Sequence, residues 1–192
     1  MKALKFVFRS VIAVTFAFLC SSLSCDILDK VDDVSFDVKL THTFNADEKT
    51  DSKGAPVPYS KVETLDATQN TDFNKYKSNI KEITVKSVTY VVSGYKADGK
   101  VLFSDGTAKF SALGVNASPF ATAALEFKDI QEAATSGTVY TLNIDQTGLN
   151  AIATQLKDVS LVQITSSGIL SKTPVAFSVL VTVECTAKAS PL

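Results

Sequence analysis

Residues 34–44 read VSFDVKLTHTF and alternate strictly between two kinds of side chain. The even positions carry aliphatic and aromatic residues together with His42, whereas the odd positions carry serine, threonine, lysine and aspartate. Successive side chains of a β-strand point to opposite faces of the sheet. The stretch therefore predicts a strand with one face in a core and the other in water, and it places His42 on the core face.

Further strands are predicted along the chain, separated mostly by turns. Asp98–Gly99 and Asp105–Gly106 are typical of tight turns between paired strands. Residues 45–58 contain Lys53–Gly54 and two prolines and are predicted to form a long loop. The segments predicted as strands are residues 59–65, 83–92, 101–103, 108–112, 138–144, 161–164 and 175–187, the last two joined around Gly168 and Pro174.

Two short helices complete the prediction. One begins at Thr71–Asp72, and the stronger one covers residues 147–157, with Asp145 or Thr147 able to cap it. Residues 115–134 are rich in small side chains and show no clear period. Seven to nine strands without an internal repeat indicate a mainly β protein. We expect residues 34–192 to form a single antiparallel β-sandwich, immunoglobulin-like in the loose sense, with one or two short helices.

The first 24 residues have the layout of a secretory signal. Residues 1–10 are basic, residues 11–20 are apolar except for Thr15, and small polar residues precede Cys25. An apolar run of this length is too short to cross a bilayer as a helix, which takes about 20 residues. A cleaved signal is therefore favoured over an uncleaved membrane anchor or a buried core helix.

Leu23–Ser24–Cys25 resembles the lipobox of bacterial lipoproteins, and the chain as a whole resembles secreted proteins of the Bacteroidetes group. The family usually has leucine three places before the cysteine, where this chain has Ser22 and places Leu23 nearer. The resemblance implies that Cys25 carries lipid and holds the protein on the outer membrane or cell surface. The alternative is ordinary cleavage near Ser24 with a free thiol at Cys25. Residues 25–33 then form an acidic tether.

Removal of residues 1–24 leaves 16 lysines, no arginine and 20 acids, a net charge of −4. The chain also has no tryptophan. A domain without arginine and with an acidic balance lacks the basic surface that binds phosphates, so nucleic acid is not an expected partner. The composition is too apolar for a disordered chain.

Cys185 lies in a predicted strand, on the same face as Phe177, Val179 and Val181, and is expected to pack in the core. A disulfide between Cys25 and Cys185 becomes available only if Cys25 carries no lipid.

No sequence motif indicates catalysis or a cofactor. His42 is the only histidine, and no Gly-x-Ser-x-Gly elbow, phosphate-binding glycine loop or dinucleotide motif is present. We expect His42 to lie in the core or at its edge, bonded to a backbone carbonyl. Residues 47–54 fail the calcium-loop pattern because Lys49 takes a ligand position. The chain is accordingly expected to be no enzyme and to hold no metal or cofactor.

The leading hypothesis is a lipid-anchored β-sandwich of the cell envelope that acts as a binding, structural or adhesion module, with a protein or glycan as partner. The 45–58 loop is the expected contact region. Tyr59 and Tyr95 are the expected partner-contact residues if their rings are exposed; packing over the core edge is the favoured alternative for both. The other hypotheses are a carrier of an apolar ligand between the sheets and a carboxylate-based hydrolase or hydrolase accessory protein.

Overall fold

The alternating stretch forms strand β1, Val34–Glu48, four residues longer than the pattern alone predicts. The computed structural model describes residues 32–114 and 117–192. The predicted signal peptide, Cys25 and most of the tether lie outside the described residues. Val34–Ser190 forms one compact unit, and Val38, Leu40 and Phe44 lie in its core.

The described residues of this unit form eight strands and three α-helices, together with two 3₁₀ turns, Ala67–Gln69 and Lys77–Asn79, beside the first helix. The strands after β1 are β2 (Val57–Asp66), β3 (Ile80–Lys96), β4 (Phe103–Ser111), β5 (Pro119–Ala124), β6 (Val139–Thr141), β7 (Leu161–Leu170) and β8 (Val175–Ala189). The helices are α1 (Thr71–Tyr76), α2 (Ile130–Ser136) and α3 (Gln146–Val159).

The strands form two antiparallel four-stranded sheets, ordered β1-β8-β3-β6 and β2-β7-β4-β5. The protein is therefore a mainly β, antiparallel sandwich, as the sequence predicts. Most consecutive strands lie in opposite sheets. This order sharpens the loose immunoglobulin-like description to a jelly roll, in which two Greek keys build the two sheets.

One continuous apolar core fills the space between the sheets. Strand β8 crosses its centre, and Phe177, Val183 and Cys185 on its inner face are 2%, 0% and 1% exposed. Cys185 is thus a core residue, as its position in the strand predicts. Burial raises the pKa of its thiol to about 11, so the group stays protonated at neutral pH.

Both predicted Asp-Gly turns differ in the structure. Strands β3 and β4 lie in different sheets, so Asp98–Gly99 connects the sheets instead of closing a hairpin. Asp105–Gly106 lies inside β4, where the register with β7 shifts and Asp105 has a φ of 52°. The dipeptide supplies the same left-handed conformation to a hairpin turn and to a bulge. Glycine is required at position 106 of this bulge, because a Cβ there would lie 2.6 Å from the Phe103 ring.

Helix capping agrees with the sequence more closely. Asp145 caps α3 by accepting a hydrogen bond from Gly148 N at 2.7 Å. Helix α1 begins at Thr71 as predicted, and its cap is Asn70. Helix α2 was not predicted, nor was β5, because small residues hide the period of the 115–134 region.

The sandwich has two ends and two lateral sides, where the edges of the two sheets meet. At one end lie the start of β1 and the finish of β8, and at the other lie the connections 49–56, 97–102 and 171–174. We call the latter the loop end. On one side, α3 packs against β3, β5 and β7; on the other, the edge strands β1 and β2 lie next to each other.

Candidate functional site

Hydrogen bonds fasten the three connections of the loop end together. Thr173 donates from its backbone N to Ser52 Oγ at 3.0 Å, and its hydroxyl donates to Thr50 O. Lys172 Nζ donates to Asp98 O at 2.7 Å. The predicted 45–58 loop is shorter than expected, since β1 continues to Glu48 and β2 begins at Val57. Thr50 and Ser52 of this loop are therefore tied to the 171–174 connection.

Tyr59 and Tyr95 do not form exposed aromatic surfaces. Tyr59 is 4% exposed and packs against Phe103 and Phe177, which rules it out as a surface contact. Burial, helped by the Glu48 and Glu63 carboxylates, raises the pKa of Tyr59 to about 12. Tyr95 is half-buried, and its hydroxyl donates to Gly99 O. Both rings therefore pack against the core, which is the alternative that the sequence favours.

A groove opens near the loop end, between the bulged part of β4 and the segment after β5. Its volume is about 560 Å³, which falls within the range of small-ligand sites. Four apolar side chains line it, together with the backbone of Gly106 and the polar side chains of its rim. The lining residues are Leu102, Phe103, Ser104, Asp105, Gly106, Leu125, Glu126, Phe127 and Lys128.

The groove exists because the ladder between β4 and the 125–128 segment is split. Leu125 N donates to Gly106 O at 2.9 Å, and Phe103 N donates to Lys128 O at 2.8 Å. Between these two bonds, Glu126 N instead donates to the hydroxyl of Tyr90, at 2.7 Å. Tyr90 thus takes a backbone donor that a continuous ladder would use, and it holds the split in place.

Aromatic rings support the groove from below. Phe103 and Phe127 stack with centroids 5.0 Å apart and planes within 6°. Tyr90 and Tyr140 stack in the same way beside Phe127, also at 5.0 Å. Gly168 makes room for this arrangement, because a Cβ there would lie 2.4 Å from the Phe103 ring. The floor of the groove is therefore a rigid part of the core.

A second cluster of polar groups lies between the edge strands β1 and β2. Nε2 of His42 is enclosed and has no hydrogen-bond partner; it lies 3.6 Å from Oε2 of Glu63. The backbone carbonyl expected for His42 is thus replaced, at this nitrogen, by a carboxylate. Lys61 Nζ lies 3.6 Å from the other Glu63 oxygen and donates to Asn45 O at 2.9 Å. Within residues 32–114 and 117–192, no three potential metal-ligating side chains come together.

Sequence reasoning found neither the groove nor the His42–Glu63 pair. Asp105–Gly106 marked the position of the groove but was interpreted as a turn. The groove depends on Tyr90, Phe103 and Phe127, which come from three separate segments, so no local spacing reveals it. Lys61 and Glu63 share the inward parity of Tyr59 on β2, a signal that could have placed charged residues at the core edge.

Comparison with known proteins adds only distant structural likenesses. No protein-family model and no curated protein matches the chain. The Desmodium yellow mottle tymovirus structure has 13% identity, a TM-score of 0.45 and coverage of 83% of this chain and 82% of its own. The turnip yellow mosaic virus structure has 9% identity, a TM-score of 0.42 and coverage of 83% of this chain and 96% of its own. The decameric BFDV capsid protein has 8% identity, a TM-score of 0.40 and coverage of 80% of this chain and 99% of its own. With TM-scores below 0.5, these structures assign neither function nor ancestry to the chain.

No helix in the described ranges, 32–114 and 117–192, is both long and apolar enough to cross a membrane.

Proposed function

We propose that this protein is a lipid-anchored β-sandwich of the cell envelope and that it acts as a binding module without catalysis. The observation that carries the proposal is that the start of β1 and the loop end lie at opposite ends of the sandwich. Strand β1 starts at the end opposite the loop end, and its 15 residues span roughly 50 Å at about 3.3 Å per residue. A lipid on Cys25 would hold the first end, and the loop end with its groove would face outward.

The packing of the interior favours a binding site on the surface over a ligand cavity between the sheets. Side chains of both sheets form one continuous apolar core, so a ligand between the sheets would have to displace them. The groove needs no such displacement. The two acids of the groove, Asp105 and Glu126, are both exposed. This favours binding over acid–base catalysis, since catalytic acids are usually carboxyl groups enclosed in a pocket.

Mass spectrometry of the mature N-terminus tests the anchor. We expect a chain that begins at Cys25 with a diacylglyceryl thioether and an acylated nitrogen, and that sediments with membranes. Cys25→Ala should move the protein to the soluble fraction, because several acyl chains are needed for stable anchoring. A mature chain that starts at an unmodified serine or aspartate would overturn the anchored function.

A further inference from the structure

We propose that the groove binds a small organic amine, with the ammonium group at the rim and the apolar body on the floor. The inference rests on the binding function proposed above and names the ligand chemistry of the same groove. Three observations carry it: the size of the groove, the apolar character of its floor and the arrangement of charge on its rim.

The floor suits an apolar body. Phe103 and Phe127 are only 2% and 4% exposed, so their stacked rings form its rigid base and most of the apolar surface that a ligand can cover belongs to another side chain. Leu102, which also lines the groove, is 46% exposed. A ligand that covers Leu102 removes apolar surface from water, and such burial is favourable roughly in proportion to its area.

The rim suits a cation. The register Thr107↔Ala124 and the bridge Leu102↔Asp129 place residues 105 and 126 opposite each other across the split ladder. Asp105 and Glu126 both line the groove, and Lys128 is its only basic lining residue. Two carboxylates against one ammonium give the lining a net negative charge. An amine above the floor would meet both carboxylates, whereas an acid would meet repulsion from them.

Equilibrium dialysis of the purified full chain against three probes with the same ring tests the proposal. The probes are 2-phenylethylamine, 2-phenylethanol and 3-phenylpropionate. For ligands of this size we expect a dissociation constant on the order of millimolar for the amine. We expect the neutral alcohol to bind about fivefold more weakly and the acid more weakly still, since each exposed charge pair contributes little.

Two variants separate charge from shape. In Asp105→Asn/Glu126→Gln, the amine should lose about fivefold in affinity and bind no better than the alcohol. Ser104→Trp should abolish binding of all three probes by filling the groove. Ser60→Trp is the matched control, because Ser60 is also exposed but does not line the groove; it should leave binding unchanged.

Equal binding of amine and acid overturns the proposal, and so does a preference for amine that persists in the double variant. Binding that survives Ser104→Trp, or no saturable binding of any probe, also overturns it. None of these results bears on the anchor, which the mass of the mature N-terminus decides separately.

Discussion

On one side of the sandwich, helix α3 lies against β3 and β5, while on the other side the edge strands β1 and β2 lie next to each other. The helix side is closed by buried apolar residues, among them Ile152 and Leu156, both 0% exposed. The strand side is closed by His42, Lys61 and Glu63. The first arrangement contributes apolar burial, and the second places polar groups where they protect strand edges.

Backbone geometry explains what the polar side gains. Residues of one parity in an antiparallel strand direct their N–H and C=O groups to the same edge. On β1, Lys39 O accepts from Asn70 Nδ2 at 3.3 Å and Asn45 O accepts from Lys61 Nζ at 2.9 Å. These two carbonyls have the same parity and belong to the edge that β8 does not use. Side chains thus occupy acceptors that a second strand would need.

The largest expected effect on stability comes from truncating a buried side chain on the helix side. Leu156→Ala should lower the free energy of unfolding by about 3 kcal/mol, because it removes a fully buried side chain and leaves a cavity. Urea denaturation measures the change. Thr147→Ala, an exposed position on the same helix, should stay within about 0.5 kcal/mol. A loss below about 1 kcal/mol in Leu156→Ala would mean that α3 does not close this side.

A smaller loss is expected from Gly148→Ala. Alanine would gain up to about 1 kcal/mol in helix propensity, but its Cβ would lie 2.7 Å from Ile144 and 2.9 Å from Ala121 Cβ. Overpacking of this kind costs about 1–3 kcal/mol, so a net loss of about 1 kcal/mol should appear in the same denaturation experiment. A net gain would show that α3 has room to move away from β5.

Strand β1 and helix α3 show how much of the fold the sequence could predict. Both were predicted closely because their patterns are local: alternation in one, a 3.6-residue period and an aspartate cap in the other. The Asp105–Gly106 dipeptide predicts a turn but forms a bulge, because the same backbone conformation serves both and the long-range pairing of β4 with β5 and β7 decides between them. The groove and the His42–Glu63 pair depend on segments far apart in sequence, so composition and spacing could not place them.

On the strand side, an apolar substitution should stabilise the protein. An enclosed polar atom without a hydrogen-bond partner costs roughly 1–3 kcal/mol, and Nε2 of His42 is such an atom. His42→Leu should therefore raise the free energy of unfolding by about 1 kcal/mol in urea denaturation. His42→Gln serves as the comparison, since it keeps a polar group there and should not stabilise. Destabilisation by leucine would show that the contact with Glu63 outweighs the unpaired nitrogen.

Removing the edge protection should promote self-association. Lys61→Ala/Asn70→Ala leaves the β1 carbonyls of residues 39 and 45 without their side-chain donors; it also removes the cap of α1, at a cost of about 1 kcal/mol. We expect dimers that grow with protein concentration, measured by size exclusion with light scattering, as exposed edges pair. Lys109→Ala, an exposed lysine on the inner strand β4, should stay monomeric. A monomeric double variant would show that other features protect this edge.

The smallest effect concerns the attachment of β1 to its own sheet. Asp37 on β1 accepts hydrogen bonds from Lys86 Nζ on β3 at 2.6 Å and from Thr186 Oγ1 on β8 at 2.7 Å. The Lys86 bond, followed by the Thr186 bond, lowers the pKa of Asp37 below its ordinary value of 3.8. A carboxyl whose pKa is lower in the folded state stabilises the protein fully above its unfolded pKa, and this contribution is lost as the pH falls through the folded value.

Asp37→Asn should therefore be less stable than the unmodified protein at pH 7, and the difference should shrink as the pH falls below about 4, the ordinary pKa of the group, and through the lower folded-state pKa. Thermal denaturation across this pH range measures the difference, which should be small because the pair is exposed. Asp98→Asn, at an exposed acid of the 97–102 connection, controls for the change in net charge. If the Asp37→Asn difference did not shrink in acid, its cause would be the shape of the side chain and not its charge.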